Sequence, residues 1–317
     1  MKYIETLREG DRVGEVYLCK KKQNALTKAG KPYDNVTLQD KTGTLSAKIW
    51  DVNSAGIEDF DSLDYVYVVG DVTMFQGAPQ LNIKRIRKVG EGEYDPSDYL
   101  PVSSKDIGQM YQELMKFVKN LQNPHLKALA ELFFENESFA ARFQNHSAAK
   151  SVHHGFVGGL LEHTLSVTQN CDFISMQYPF LNRDLLLTAA MLHDIGKLDE
   201  LSTFPENDYT DAGQLLGHIT IGAMQIRNQI SRIPDFPVRL ANELLHCILS
   251  HHGELEYGSP KKPALAEAIA LSMADNLDAK MESFKEAIAS IPENNLEWQG
   301  FNHLFDSNIR RTGRNEI

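Results

Sequence analysis

The hydrophobic period of this chain changes once, near residue 105, and that change calls for two unlike parts. Before it, apolar and polar residues alternate, the period of a half-buried strand. In Tyr33–Gln39, Val36 and Leu38 fall on one face and Asn35, Thr37 and Gln39 on the other. Thr44–Trp50 places Leu45, Ala47 and Ile49 inward, and Asp40-Lys41-Thr42-Gly43 between the two runs suits a hairpin loop. Arg12–Lys20, Tyr65–Val72 and Gln80–Lys88 supply three more strands, with Gly70 as a bulge or bend. Five strands over about 80 residues fit a small closed barrel.

Residues 91–104 (EGEYDPSDYLPVSS) read as a linker, being rich in acids and breakers. Beyond it the apolar period is helical: Ile107, Met110, Tyr111, Leu114, Phe117, Val118 and Leu121 share one face. Further helices are predicted at 124–135, 159–178, 183–195, 214–232, 237–251 and 263–289. The expected organisation is a β domain at 1–90, the linker, and an all-α domain at 105–317.

No apolar run approaches the roughly 18–20 residues of a membrane helix. The charged N-terminus has no signal core, so the expected compartment is the cytoplasm. Cys19, Cys171 and Cys247 form no CxxC and are expected to be reduced, buried thiols. The net charge of −11 argues against a protein that coats nucleic acid non-specifically. It is unevenly spread: residues 1–90 carry 14 Lys/Arg against 12 Asp/Glu, and the remainder 18 against 31.

The helical part holds most of the 11 histidines. His163 lies in GGLLEHTLSV, His193-Asp194 closes DLLLTAAMLHDIGK, and His218 stands in LLGHITIGAM. His251-His252 ends ANELLHCILSHH, and Asp275 lies in AEAIALSMADNLDAK. One histidine on an apolar helix is more often a hydrogen-bonded core residue than a ligand. Five apolar segments that each carry His or Asp are harder to explain so. An uncompensated buried polar group costs roughly 2–7 kcal/mol, and a metal centre compensates several at once. Imidazole and carboxylate without thiolate suit a divalent ion such as Mn, Fe, Co, Ni, Zn or Mg.

The order His…His-Asp…His…His-His…Asp resembles the HD-domain metal-dependent phosphohydrolases, with MLHDIGK as their central motif, over roughly residues 150–290. The resemblance implies that His163, His193, Asp194 and Asp275 hold a first metal. Asp194 would bridge to a second held by His218 with His251 or His252. Lys197 would face the same mouth and neutralise phosphate charge; alternatively it is a solvated lysine beside Gly196. The segment after His252 lacks the Gly-Tyr-Pro element of the cyclic-di-GMP-specific branch. Position 159 is Gly, where some three-metal members have an extra Glu.

The first part resembles an OB fold of the kind fused to tRNA-anticodon-binding proteins, most clearly in LQDKTGTLSAKIWD. OB folds bind single strands on strands 2–3 and in the loops between strands 1–2 and 4–5. Here the first loop, read as Lys20–Lys31, carries Lys20, Lys21, Lys22, Lys28 and Lys31. The second presents Phe75, and the strand face offers Tyr33, Lys48 and Trp50. Trp50 could instead pack against the linker or the helical part. Lys84, Arg85, Arg87 and Lys88 add a late basic cluster.

Taken together, an OB fold followed by an HD domain resembles the YhaM family of bacterial 3′→5′ exoribonucleases. That resemblance implies Mn²⁺, two ions, and release of nucleoside monophosphates from the 3′ end of single-stranded RNA, with single-stranded DNA a further substrate. The alternatives are a hydrolase of small nucleotides, a non-catalytic nucleic-acid-binding protein and a protein-binding scaffold. A homo-oligomer is left open.

Overall fold

The computed structural model describes residues 1–90, 92–150, 154–289 and 291–313, without the side chain of Pro96. Glu91, at the head of the predicted linker, and the last four residues of the tail lie outside the described residues.

Five strands close a barrel in the order β1-β2-β3-β5-β4, the order of an OB fold. They are β1 (Arg12–Leu26), β2 (Pro32–Asp40), β3 (Gly43–Ile49), β4 (Tyr65–Phe75) and β5 (Ala78–Lys88). Neighbours are antiparallel except β3 and β5, which pair in parallel to close the ring. The alternation seen in the sequence fills the interior with Val36, Leu38, Leu45, Ala47, Ile49, Val66, Val68 and Leu81. The bulge expected at Gly70 is present: register slips between Val69 and Gly70 against β5. A Cβ at Gly70 would lie 2.3 Å from the Asn82 carbonyl oxygen, so only glycine fits.

Two expectations for this part need correction. Strand β1 runs to Leu26, so Lys20, Lys21 and Lys22 are strand residues and the connecting turn is only residues 27–31. Their polar pattern hid a ladder that pairs Lys21 with Thr37 and Ala25 with Tyr33. The late basic cluster is largely neutralised: Lys84 pairs with Asp71, Arg87 with Glu93 and Lys88 with Asp64.

The segment after β5 packs rather than hangs free. Tyr94 stacks on Tyr65 with ring centroids 3.7 Å apart. Tyr99 and Leu100 bury against Leu18 of the barrel and Val157 of the helical part. Ser103 N donates to Val157 O and Val157 N to Pro101 O.

The helices are α1 (Ile107–Asn120), α2 (Pro124–Phe134), α3 (Glu137–Asn145), α4 (Gly159–Gln177), α5 (Arg183–Leu192), α6 (Lys197–Glu200), α7 (Asp211–Ile230), α8 (Val238–Leu249) and α9 (Ala266–Ala289). Asp106, Asn123, Asn136 and Asn182 cap α1, α2, α3 and α5 by accepting from backbone N–H groups of the first turn. Helix α5 is apolar all round and buried from Leu185 to Leu192, as a central helix must be. It packs on α2, α4, α8 and α9 and delivers its C-terminal end, His193-Asp194, to the middle of the bundle. Cys19, Cys171 and Cys247 are free and buried. Among the described residues no helix is long and apolar enough to cross a membrane.

Candidate metal centre and nucleic-acid face

Helices α4, α5, α7 and α9 and the end of α8 converge on Asp194. Its two carboxylate oxygens face different partners. Oδ2 lies 3.4 Å from Nε2 of both His163 and His193. Asp275 Oδ1, from α9, closes this side at 3.2 Å from His163 Nε2. Oδ1 of Asp194 lies 3.5 Å from His218 Nε2 and 3.7 Å from His251 Nε2. The ligand atoms of His218, His251 and His252 lie within 4.8 Å of one another, as do those of His163, His193 and Asp275.

Each imidazole is oriented through its other nitrogen. Nδ1 donates to Asp278 in His163 (2.7 Å), Ala190 O in His193 (2.8 Å) and Glu200 in His218 (3.0 Å). It donates to Ile248 O in His251 and to Tyr257 O in His252, both at 2.7 Å. All five therefore aim Nε2 inward, the nitrogen that, once deprotonated, is placed to ligate a metal.

Two glycines allow this convergence. A Cβ at Gly196 would sit 2.0 Å from His218 O, so the residue after the His-Asp turn must be glycine for α7 to approach. Gly217 adopts φ 70° and breaks α7 just before His218, leaving His218 N free to donate to Glu200 Oε1 at 2.9 Å.

The electrostatics without a cation are strained. The Nε2 atoms of His163 and His193 face each other at 3.2 Å. Burial opposes charge on His163, yet Asp275 and Asp278 outweigh it and push its pKa up to about 9. Burial, with His252 and His193 beside it, holds His251 well below the usual histidine range. Burial opposes ionisation of Asp194, but Lys197 and His193 hold its carboxyl well below the usual range. Asp194 Oδ1, His218 Nε2 and His251 Nε2 are buried without a hydrogen-bond partner. Three orphaned acceptors around one point, in a set of imidazoles and carboxylates, fit a divalent cation.

Lys197 is not the solvated lysine that the sequence also allowed. It is largely buried and its Nζ contacts Asp194 Oδ2 at 2.7 Å, opposite to Oδ1. Asp278 and Glu200 are the residues that sequence reasoning missed. Asp278 stands three residues after Asp275 on α9, hence on the same face, which was the available signal. His154, also missed, packs its ring 5.3 Å from that of His163.

On the barrel, Tyr33 and Trp50 stack with centroids 5.1 Å apart on the outer face. Trp50 does not pack on the helical part: it is 47% exposed and donates Nε1 to Asn82 Oδ1 at 2.9 Å. Lys48 lies 5.2 Å over the Tyr33 ring and is hydrogen-bonded to Asn35. Phe75 is 56% exposed at the end of β4. Lys20, Lys21, Lys28 and Lys31 are exposed. Lys22 is tied down instead, donating to Phe60 O at 2.8 Å with its ammonium 4.1 Å over the Phe60 ring.

Comparison with known proteins fits this arrangement. The HD domain family model matches residues 160–280. The 3'-5' exoribonuclease YhaM of Bacillus velezensis is 34% identical over 283 residues, covering 89% of each chain. YhaM of Bacillus subtilis strain 168 is likewise 34% identical over 89% of each chain. This chain belongs to the YhaM family. A third YhaM, from a Geobacillus strain, is 34% identical over 89% of this chain and 86% of its own. The match in the YhaM family spans both parts of the chain, whereas the HD model accounts only for the helical one. Among solved structures, the second OB-fold domain of replication protein A from Methanococcus maripaludis is 20% identical, covering 30% of this chain and 98% of that one, with a TM-score of 0.22.

Proposed function

We propose that this protein is a metal-dependent 3′-5′ exoribonuclease that shortens single-stranded RNA, with single-stranded DNA as a further substrate, and releases nucleoside monophosphates. The observation that carries the reading is the division of Asp194, one oxygen toward His163 and His193 and the other toward His218 and His251. That division suits two divalent ions: His163, His193, Asp194 and Asp275 would hold one, and Asp194, His218, His251 and His252 would hold the other. Mn²⁺ is the ion expected from the family. When bound, such a pair supplies Lewis acidity and an activated water for in-line displacement at phosphorus.

The chain's own residues do the rest. Asp194 joins the two halves of the site and fixes their spacing. Asp278 and Glu200 hold His163 and His218 in the tautomer that aims Nε2 inward. Lys197 keeps Asp194 ionised and offsets the negative charge that a phosphodiester brings. On the barrel, Tyr33, Trp50 and Phe75 offer aromatic faces for bases, each stack being worth roughly 1–3 kcal/mol. Lys20, Lys21, Lys28, Lys31 and Lys48 supply charge along the same surface.

The test is a 5′-labelled single-stranded RNA incubated with the protein and Mn²⁺. A ladder that shortens progressively from the 3′ end, with nucleoside monophosphate as product, is expected. An intact RNA alongside hydrolysis of a small nucleotide would overturn the reading.

A further inference from the structure

A cleft of about 720 Å³ lies between the barrel and the helical part. Lys20, Lys21, Thr37 and Thr44 line it on the barrel side; Phe204, Glu206 and Lys150, which is paired with Asp208, line the other. No role follows for it from the metal centre or from the Tyr33–Trp50 stack.

The barrel side continues the stacking face. On β2, Tyr33, Asn35 and Thr37 point outward, alternating with the buried Asp34, Val36 and Leu38, while Gln39 on the same face is buried and donates to Tyr99 O. On β3, Thr44, Ser46 and Lys48 do the same, and Trp50 follows the strand's last residue. Thr37 is four residues from Tyr33, about 13 Å along the strand at the usual rise. One outer surface therefore runs from the aromatic stack down into the cleft. The ladder between β1 and β2 slips between Cys19 and Lys21, so Lys20 is the extra residue of a bulge. In a regular strand consecutive side chains point to opposite faces. The bulge breaks that rule and lets both Lys20 and Lys21 line the cleft. Neither makes an ion pair among the described residues.

The opposite wall backs onto the metal centre. Phe204 lies in the loop that leaves α6, whose Lys197 contacts Asp194 and whose Glu200 contacts His218. Asn207 from this loop donates to Ala149 O and Lys150 O, fastening the two wall segments together. Gly155, also lining the cleft, follows His154, whose ring packs against His163.

We infer that this cleft is a second nucleic-acid subsite, a groove that takes the sugar–phosphate chain of a single strand between the aromatic stack and the metal centre. Lys20 and Lys21 meet phosphates, the hydroxyls of Thr37 and Thr44 accept or donate at the same level, and Phe204 supplies an apolar wall for a sugar or base. The inference rests on the reading of the protein as a nuclease of single strands.

Binding is read by anisotropy of a fluorescent 20-nucleotide RNA in EDTA, so the groove and the chemistry fail separately. The double variant Lys20→Glu/Lys21→Glu should weaken binding at least tenfold and reduce the log–log salt slope by about 1.4, two contacts at about 0.7 each. Thr37→Trp, which fills the cleft without changing charge, should weaken binding at least fivefold. Lys116→Glu/Lys119→Glu, the same charge change on exposed positions of α1, should bind as wild type. The inference is overturned if the two lysine pairs behave alike, if Thr37→Trp binds as wild type, or if wild type binds no single strand. Binding without any hydrolysis in Mn²⁺ would leave the groove standing and remove the nuclease reading.

Discussion

Asp278 accepts a hydrogen bond from Nδ1 of His163 at 2.7 Å, and this single contact decides which nitrogen of His163 faces Asp194. Ser166 donates to the other Asp278 oxygen, so the carboxylate is itself held in place. A carboxylate behind a metal-ligating imidazole orients the ring and raises its basicity, and its loss typically costs 10–100-fold in metal affinity or activity. Asp278→Asn should therefore weaken Mn²⁺ binding about 10–100-fold with little change in the circular dichroism spectrum. Isothermal titration of metal-stripped protein reads this, and an unchanged affinity would show that Asp278 does not position His163.

The same pair makes metal binding pH-dependent. With Asp275 and Asp278 beside it, metal-free His163 has a pKa pushed up to about 9. Below that pH the ring carries a proton that a cation must displace. Mn²⁺ affinity should rise with pH and level off near 9, with protons released on binding at pH 7.5. Titrations in buffers of different ionisation enthalpy measure the release. Affinity that falls as pH rises would contradict the assignment.

The barrel residues should divide into two kinds. Trp50→Ala removes half of an exposed aromatic stack and should cost about 1–3 kcal/mol in RNA binding without lowering the melting temperature. Lys22→Ala removes a hydrogen bond to Phe60 O and a contact with the Phe60 ring. It should lower folding stability by about 1 kcal/mol and leave the salt dependence of RNA binding unchanged. Thermal denaturation beside anisotropy separates the two, and a shallower salt slope in Lys22→Ala would return Lys22 to the binding surface.

Much of this was legible in the residue pattern. The period change near residue 105 separates the strands from the helices, and alternation placed Val36, Leu38, Leu45, Ala47 and Ile49 inside the barrel. The His-Asp motif and its surrounding histidines converge because each sits in a helix whose other residues are apolar. What escaped was held by polar contacts. The far half of β1 is charged on both faces, so its pairing with β2 left no apolar trace. Helix α3 is short and mixed in polarity, and its clearest sign is the Asn136 cap. Asp278 and Glu200 are acids among many, and only the three-dimensional path of α9 and α6 brings them behind His163 and His218. The contrast between His251 and His252 also needed coordinates: His251 is wholly buried with Nε2 3.7 Å from Asp194 Oδ1, while the His252 ring is half-buried and lies 5.1 Å from that of His218.

The central claim is that Asp194 joins the two halves of one hydrolytic site without taking part in holding the RNA on the barrel. Hydrolysis and binding of the same labelled single-stranded RNA by Asp194→Ala test it most directly. The account predicts loss of all measurable shortening in Mn²⁺, with RNA affinity in EDTA within about twofold of wild type, a change worth roughly 0.4 kcal/mol. Shortening at the wild-type rate by Asp194→Ala would contradict it.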